Sequence, residues 1–136
     1  MKKINGTLVV EDDAITTLII KKTLEKHPSF DKIYAAKNGQ EALEWVQHCY
    51  AHKEALPELI LLDLNMPVMD GWEFLEAFQD LPLAQKVAVV VLSSSIDQAD
   101  LDRARTYPFV KGYFAKPLTE EKLDEIIDIR SQFLSA

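Results

Sequence analysis

The chain has almost no cysteine, and that excludes an internal disulfide: its 136 residues include Cys49 alone. A reducing environment suits such a chain. Positive charge is also short. Fifteen Lys and Arg stand against 22 Asp and Glu, a net charge of -7, which is the wrong sign for an electrostatic grip on a nucleic-acid backbone. No apolar run is long enough to cross a membrane and no signal-peptide pattern follows Met1, so a cytoplasmic location is the default expectation. Glycine and proline are sparse, at four and six residues, and they fall at single positions rather than in repeats or low-complexity tracts. The expectation is one domain over residues 1–136 with no output domain, long enough to bury a real core.

What is present is a steady alternation of short apolar runs with helical patterns. The runs are Leu8-Val9-Val10, Ile33-Tyr34-Ala35, Leu59 to Leu62, Val87 to Leu92 and Tyr113-Phe114-Ala115. Three of them are nearly continuous in apolar residues, as parallel strands covered on both faces require. Between them, Ala42, Leu43, Val46, Cys49 and Tyr50 share one side of a 3.6-residue wheel, and so do Phe74, Leu75 and Phe78 after Asp70-Gly71. Leu123, Ile126, Ile127, Phe133 and Leu134 form a stripe in the last helix, with Thr119 as its N-cap. A first helix from about Asp13 to Lys26 spreads its apolar residues around the wheel. A fourth, from about Ile96 to Thr106, is short and polar, so it is expected to be the least firmly packed. The pattern predicts an α/β fold, (βα)5 and doubly wound, on a five-stranded parallel sheet with right-handed crossovers.

In such sheets ligands bind beyond the carboxyl ends of the strands. Those ends are Glu11-Asp12-Asp13, Asp63, Ser93 and Lys116, so four segments are expected to converge on one rim. Clustered carboxylates raise a pKa or require a cation, and hard oxygen ligands suit Mg²⁺, with Mn²⁺ able to replace it. A carboxylate such as Asp63 can act as nucleophile toward a phosphoryl group. Transfer then needs the phosphoryl oxygens neutralised, by a metal on one side and a lysine such as Lys116 on the other. The hydroxyl of Ser93 can serve a third oxygen.

These residues resemble the receiver domain of two-component response regulators, of the single-domain, chemotaxis-receiver type, over essentially the whole chain. The likeness is carried by Leu8-Val9-Val10-Glu11-Asp12-Asp13, Asp63 to Gly71, Val91-Leu92-Ser93, and Gly112-Tyr113-Phe114-Ala115-Lys116-Pro117. It implies a flavodoxin-like strand order of 2-1-3-4-5 and a phosphoacceptor at Asp63. It also implies metal ligation by Asp12, Asp63 and the backbone carbonyl of Asn65, with Glu11 acting through a metal-bound water. Ser93 and Lys116 would bind phosphoryl oxygens, and Ser93 with Tyr113 would form the switch. A cis bond is implied at Lys116-Pro117, and an influence of Asn65 and Ser95 on phosphoryl lifetime. The implied donor is a sensor histidine kinase or a histidine phosphotransfer protein. The implied output is partner docking, phosphorelay or dimerisation at the surface of helix four, strand five and helix five, from a monomer or a phosphorylation-linked dimer.

Simpler roles account for the other conspicuous residues. Asp13 reads as a helix cap, Met66 and Met69 as packing and turn residues, and Cys49 as a small core residue. His48 and His52 lie four apart on a polar face, without the glutamate of a His-Glu-x-x-His motif, and two ligands do not close a metal site. Ile129, beside Ile126, belongs either to a partner-binding patch or to a broad buried stripe. Three rival functions fit these residues less well. An aspartate-nucleophile phosphatase carries a second aspartate where this chain has Asn65, which cannot exchange a proton at neutral pH. A flavin or nucleotide binder needs backbone donors in the first loop, and Glu11-Asp12-Asp13 would repel phosphate. A degenerate receiver acting as a phosphorylation-independent scaffold requires a broken site, and every expected position is filled.

Overall fold

The structure, a computed structural model, describes residues 3–94 and 97–135, with the side chains of 130–135 left out. Five strands, Thr7–Val10 (β1), Ile33–Ala36 (β2), Leu59–Leu62 (β3), Ala88–Ser93 (β4) and Val110–Ala115 (β5), alternate with α-helices at Ala14–Glu25 (α1), Gly39–Ala51 (α2), Gly71–Gln79 (α3), Gln98–Ala104 (α4) and Glu120–Ser135 (α5). All pairings are parallel, in the order β2-β1-β3-β4-β5.

Position in the sheet explains the composition of each strand. The central strands β1, β3 and β4 are buried at every residue, because helices cover both of their faces. The edge strand β2 leaves Tyr34 and Ala35 exposed, and the Tyr34 ring leans on Trp45 of α2 at 4.8 Å between centroids. Along β5, the other edge, every residue is half-buried.

Two apolar layers flank the sheet. On one face, Ala42 and Val46 of α2 and Phe74, Leu75 and Phe78 of α3 pack on Leu8, Ile60 and Val89. On the other, Ile20 and Leu24 of α1 and Leu123, Ile126 and Ile127 of α5 pack on Val9, Leu61 and Val90. Alternate residues of each strand therefore serve opposite layers, as the two-residue period of a strand demands. Phe78 stacks with Phe74 at 5.3 Å and meets Phe109 edge-on at 5.1 Å; burying one such ring stabilises the fold by roughly 2–3 kcal/mol.

The helices start where side chains accept otherwise orphaned N–H groups. Asp13 caps α1 through Thr16 N–H at 3.0 Å, and Asn38 caps α2 through Glu41 N–H at 2.8 Å. Asp70 and Glu73 form a reciprocal capping box at α3. Asp97 caps α4 through Ala99 N–H at 2.8 Å, and Thr119 Oγ1 accepts from Lys122 N–H at 3.3 Å at the start of α5.

Three expectations need correction. The fourth helix is shorter than 96–106: it begins after the Asp97 cap and ends at Ala104, where the Thr106 hydroxyl bonds back to the Arg103 carbonyl at 2.7 Å. Tyr50 is 44% exposed rather than part of the buried face of α2; it sits at the rim of the stripe, where a tyrosine can keep its hydroxyl wet. The strand β5 begins at Val110, three residues before the run read from the sequence: Lys111 and Gly112 interrupt its hydrophobic pattern, and the register shifts there, with Val89 facing Val110 and Val90 facing Gly112, so that Lys111 is the extra residue of a bulge. Ser95 and Ile96, and the side chains of Phe133 and Leu134, lie outside the described residues.

As expected, α4 is lightly held. Of its residues only Ala104 is buried. The Arg103 guanidinium stands 4.3 Å above the Trp72 ring of α3, and just beyond the helix the Tyr107 hydroxyl donates to Glu76 Oε1.

Candidate functional site

The sheet ladder runs one residue past several strands and pins the residues found there. Glu11 N–H donates to Ala36 O at 3.0 Å, Asp63 N–H to Val10 O at 3.0 Å, and Lys116 N–H to Ser93 O at 2.7 Å. Backbone position at the rim is thus set by neighbouring strands rather than by loops, which is the rigid support a reactive constellation needs.

The side chains converge as well. Carboxylate oxygens of Glu11, Asp12 and Asp63 lie within 4.8 Å of one another. Glu11 and Asp63 are buried, at 4% and 6% exposure, whereas Asp12 faces solvent. The Lys116 ammonium stands 2.5 Å from Glu11 Oε1 and 3.4 Å from Asp63 Oδ1. Ser93, at the end of β4, is 2% exposed. Asn65 N–H makes a long contact of 3.5 Å with Asp63 Oδ1.

Burial is the largest influence on Glu11 and holds its carboxyl above the ordinary range, although the Lys116 ammonium and the Asp13 N–H, 3.1 Å from Oε2, partly offset it. For Lys116 burial alone would pull the pKa down, but its contacts with Glu11 and Asp63 outweigh burial and leave it raised. Each pair among the three carboxylates repels by about 3 kcal/mol at an effective dielectric of about 20. One ammonium against three carboxylates leaves the cluster two charges short, so a divalent cation fits the donor set, and its all-oxygen character fits Mg²⁺ or Mn²⁺. Asp13 does not join the cluster. Both Thr16 N–H and Thr16 Oγ1–H donate to its Oδ2, at 3.0 and 2.5 Å, as its reading as a cap requires.

Two features of the loop after β3 escaped the sequence reading. A Cβ on Gly71 would lie 2.6 Å from Asp63 O and 2.7 Å from Leu64 Cα, so only glycine lets α3 start against the backbone at the end of β3. The Asp70-Gly71 dipeptide by itself does not show what approaches it. Val68 has φ 69° inside a tight turn closed by Met69 N–H to Pro67 O at 2.8 Å, a conformation that is strained for a β-branched residue. Elsewhere, the Lys116-Pro117 bond is cis, Met66 and Cys49 are buried, and the exposed His48 and His52 rings, at the end of α2 and on its C-cap, lie tilted to one another with centroids 4.1 Å apart. Tyr113 borders a crevice of about 230 Å³ with Leu101, Ala104 and Arg105. Ile129 Cδ1 would come 3.3 Å from a Cβ at Gly112, so it packs over β5 rather than standing clear of it.

Residues 7–128 match the family model of the response regulator receiver domain. The chain belongs to this family. Its receiver domain is 31% identical over 121 residues to the probable methanogenesis regulatory protein FilR2 of Methanothrix harundinacea, covering 89% of this chain and 77% of that protein. Some relatives are much longer: the match to a protein-glutamate methylesterase of Carboxydothermus hydrogenoformans spans 30% of that protein. The receiver superposes on a two-component response regulator from Cytophaga hutchinsonii with a TM-score of 0.89 at 28% identity, covering 99% of this chain and 100% of that one. With the phosphorylated cyanobacterial phytochrome response regulator RcpA the TM-score is 0.76 at 29% identity, over 98% and 95% of the two chains. The expected family and the expected strand order are both borne out. None of the helices among the described residues is long and apolar enough to cross a membrane.

Proposed function

We propose that Asp63 is the phosphoacceptor of this receiver, taking a phosphoryl group from a phosphohistidine on a sensor histidine kinase or a histidine phosphotransfer protein. The observation that carries this reading is the Asp63 carboxylate, buried at a strand end, with an ammonium 3.4 Å away and two further carboxylates within 4.8 Å. In the transfer an Asp63 oxygen forms the new O–P bond as the N–P bond of the phosphohistidine breaks, and that bond's electron pair stays on the imidazole nitrogen. Lys116 meets the charge on one phosphoryl oxygen and the Ser93 hydroxyl donates to another. Asp12, Asp63 and the Asn65 carbonyl would hold Mg²⁺ or Mn²⁺, with Glu11 reaching it through water; the ion supplies the positive charge that lets the phosphate approach three carboxylates. Hydrolysis reverses the modification when water attacks phosphorus and the Asp63 oxygen leaves.

The new charge on Asp63 would draw Ser93 and Lys116 toward it and bias the weakly held α4 and the half-buried β5, with Tyr113 moving between them. The α4–β5–α5 surface would then pass the signal to a docking partner. On the input side, Ile15, Leu18 and Ile19 of α1 and Val68 of the loop after β3 are 53–79% exposed and offer an apolar surface running from the acidic rim, as a docking kinase helix would need.

Incubation with Mg²⁺ and a small acyl phosphate, followed by intact-mass measurement, is expected to add one phosphoryl group to the wild type and none to Asp63→Asn. Equal labelling of both would refute the assignment. No labelling of either would favour a phosphorylation-independent scaffold.

A further inference from the structure

Lys122, in the first turn of α5, points back at the site rather than out to solvent. Its ammonium donates to the Ala115 carbonyl at 2.5 Å and to the Pro117 carbonyl at 2.9 Å. These two oxygens bracket Lys116, whose side chain meets Glu11 and Asp63. The bracketed segment needs an outside support. Ala115 is the last paired residue of β5, opposite Ser93, and Lys116 N–H makes the final ladder bond, to Ser93 O at 2.7 Å. Pro117 has no N–H to donate. One charged side chain thus satisfies two carbonyls where the strand has ended and the helix has not begun.

We propose that Lys122 is a positioning residue for phosphoryl transfer: through the carbonyls of Ala115 and Pro117 it fixes the backbone of Lys116 and aims the Lys116 ammonium at the acceptor. This rests on the reading of Asp63 as phosphoacceptor. The Lys116 ammonium is held at set distances from Glu11 and Asp63, so a displaced backbone must be made up by a change in side-chain rotamer, which disturbs that alignment. A misplacement of about 1 Å in such a group can cost up to about a hundredfold in rate. Lys122 itself touches neither the acceptor nor the acidic cluster.

The test compares Lys122→Met, Lys122→Arg, Lys116→Met and the double variant Lys116→Met/Lys122→Met, using an acyl phosphate donor at saturating Mg²⁺. Lys122→Met is expected to label about tenfold more slowly than wild type, with Mg²⁺ affinity unchanged because Asp12 and Asp63 are untouched. Lys122→Arg regains most of the rate, since it restores a charged donor to both carbonyls. In the Lys116→Met background the second substitution adds nothing, because Lys122 acts only through Lys116. A wild-type rate in Lys122→Met, or the same slowing with and without Lys116, overturns the proposal. Amide hydrogen exchange at Lys116 provides a readout independent of phosphoryl transfer: it accelerates in Lys122→Met if the tether holds this strand end. Unchanged exchange overturns the proposal even where Asp63 proves not to be an acceptor, and unlabelled wild type with accelerated exchange refutes the acceptor reading while leaving the tether standing.

Discussion

The Lys116 ammonium lies closer to Glu11, at 2.5 Å, than to Asp63, at 3.4 Å. Lys116 thus spends its shorter contact on the more buried carboxylate and leaves the proposed acceptor only partly neutralised. That division explains why Glu11 can be buried at all.

Lys116→Met removes this balance. In chelator the variant is expected to unfold about 1–2 kcal/mol more easily than wild type, since Glu11 stays buried with its charged partner gone. Excess Mg²⁺ should shrink the deficit by neutralising the same carboxylates, and urea unfolding with and without Mg²⁺ measures both. The sign with pH follows from Lys116, whose folded-state pKa is raised. Its contribution is fully present below the unfolded value of about 10.4 and is lost as pH rises through the folded one. The gap between wild type and variant in chelator therefore closes in the alkaline range. A gap that persists there would mean that lost packing of the lysine stem, rather than charge, is the cause.

Asp12 and Asp13 are adjacent carboxylates in different settings: Asp12 lies in the acidic cluster, and Asp13 caps α1. Asp12→Ala is expected to weaken Mg²⁺ binding by about tenfold or more, about 1.4 kcal/mol, whereas Asp13→Ala should leave it near wild type and lower the melting temperature instead. The Thr16 hydroxyl and then the Thr16 N–H hold the Asp13 carboxyl below its ordinary range. Its contribution is present above the unfolded value of about 3.9 and is lost as pH falls through the lower folded one. The melting-temperature difference between wild type and Asp13→Ala should thus fade in strong acid. Equal losses of Mg²⁺ affinity in titration calorimetry would show that the acid pair is misassigned.

The loop after β3 stores strain at one position and tolerates no bulk at another. Val68→Gly is expected to stabilise the protein by about 1 kcal/mol, since glycine adopts the positive φ at no steric cost. Gly71→Ala is expected to destabilise by about 1–3 kcal/mol, because its methyl would press on the Asp63 carbonyl and on Leu64 Cα. Denaturant midpoints of the two variants, shifting in opposite directions, check both.

Much of this was legible in the one-dimensional pattern, for reasons that differ between elements. The run Leu59 to Leu62 reads as a covered parallel strand because burial on both faces leaves no place for a polar residue. The last helix reads from Leu123, Ile126 and Ile127 because one face meets the sheet. Asp63 and Lys116 could be picked out as strand-end residues because parallel sheets carry their chemistry at that end. Tyr50 was misplaced because periodicity gives an angle on the helix and not the depth of the layer above it. Val68 went unnoticed because nothing in its type announces a positive φ.

The order of residues alone therefore determined the fold class, the strand order through its family motifs, and the identity of the acidic rim, since each follows from local periodicity or from residue types at strand ends. Only the folded chain decided that Glu11 and Lys116 pair across 105 positions, that Gly71 abuts the Asp63 carbonyl, and that Lys122 grips both sides of Lys116. Those relations depend on distances between segments far apart in sequence, and such distances exist only once the layers have packed.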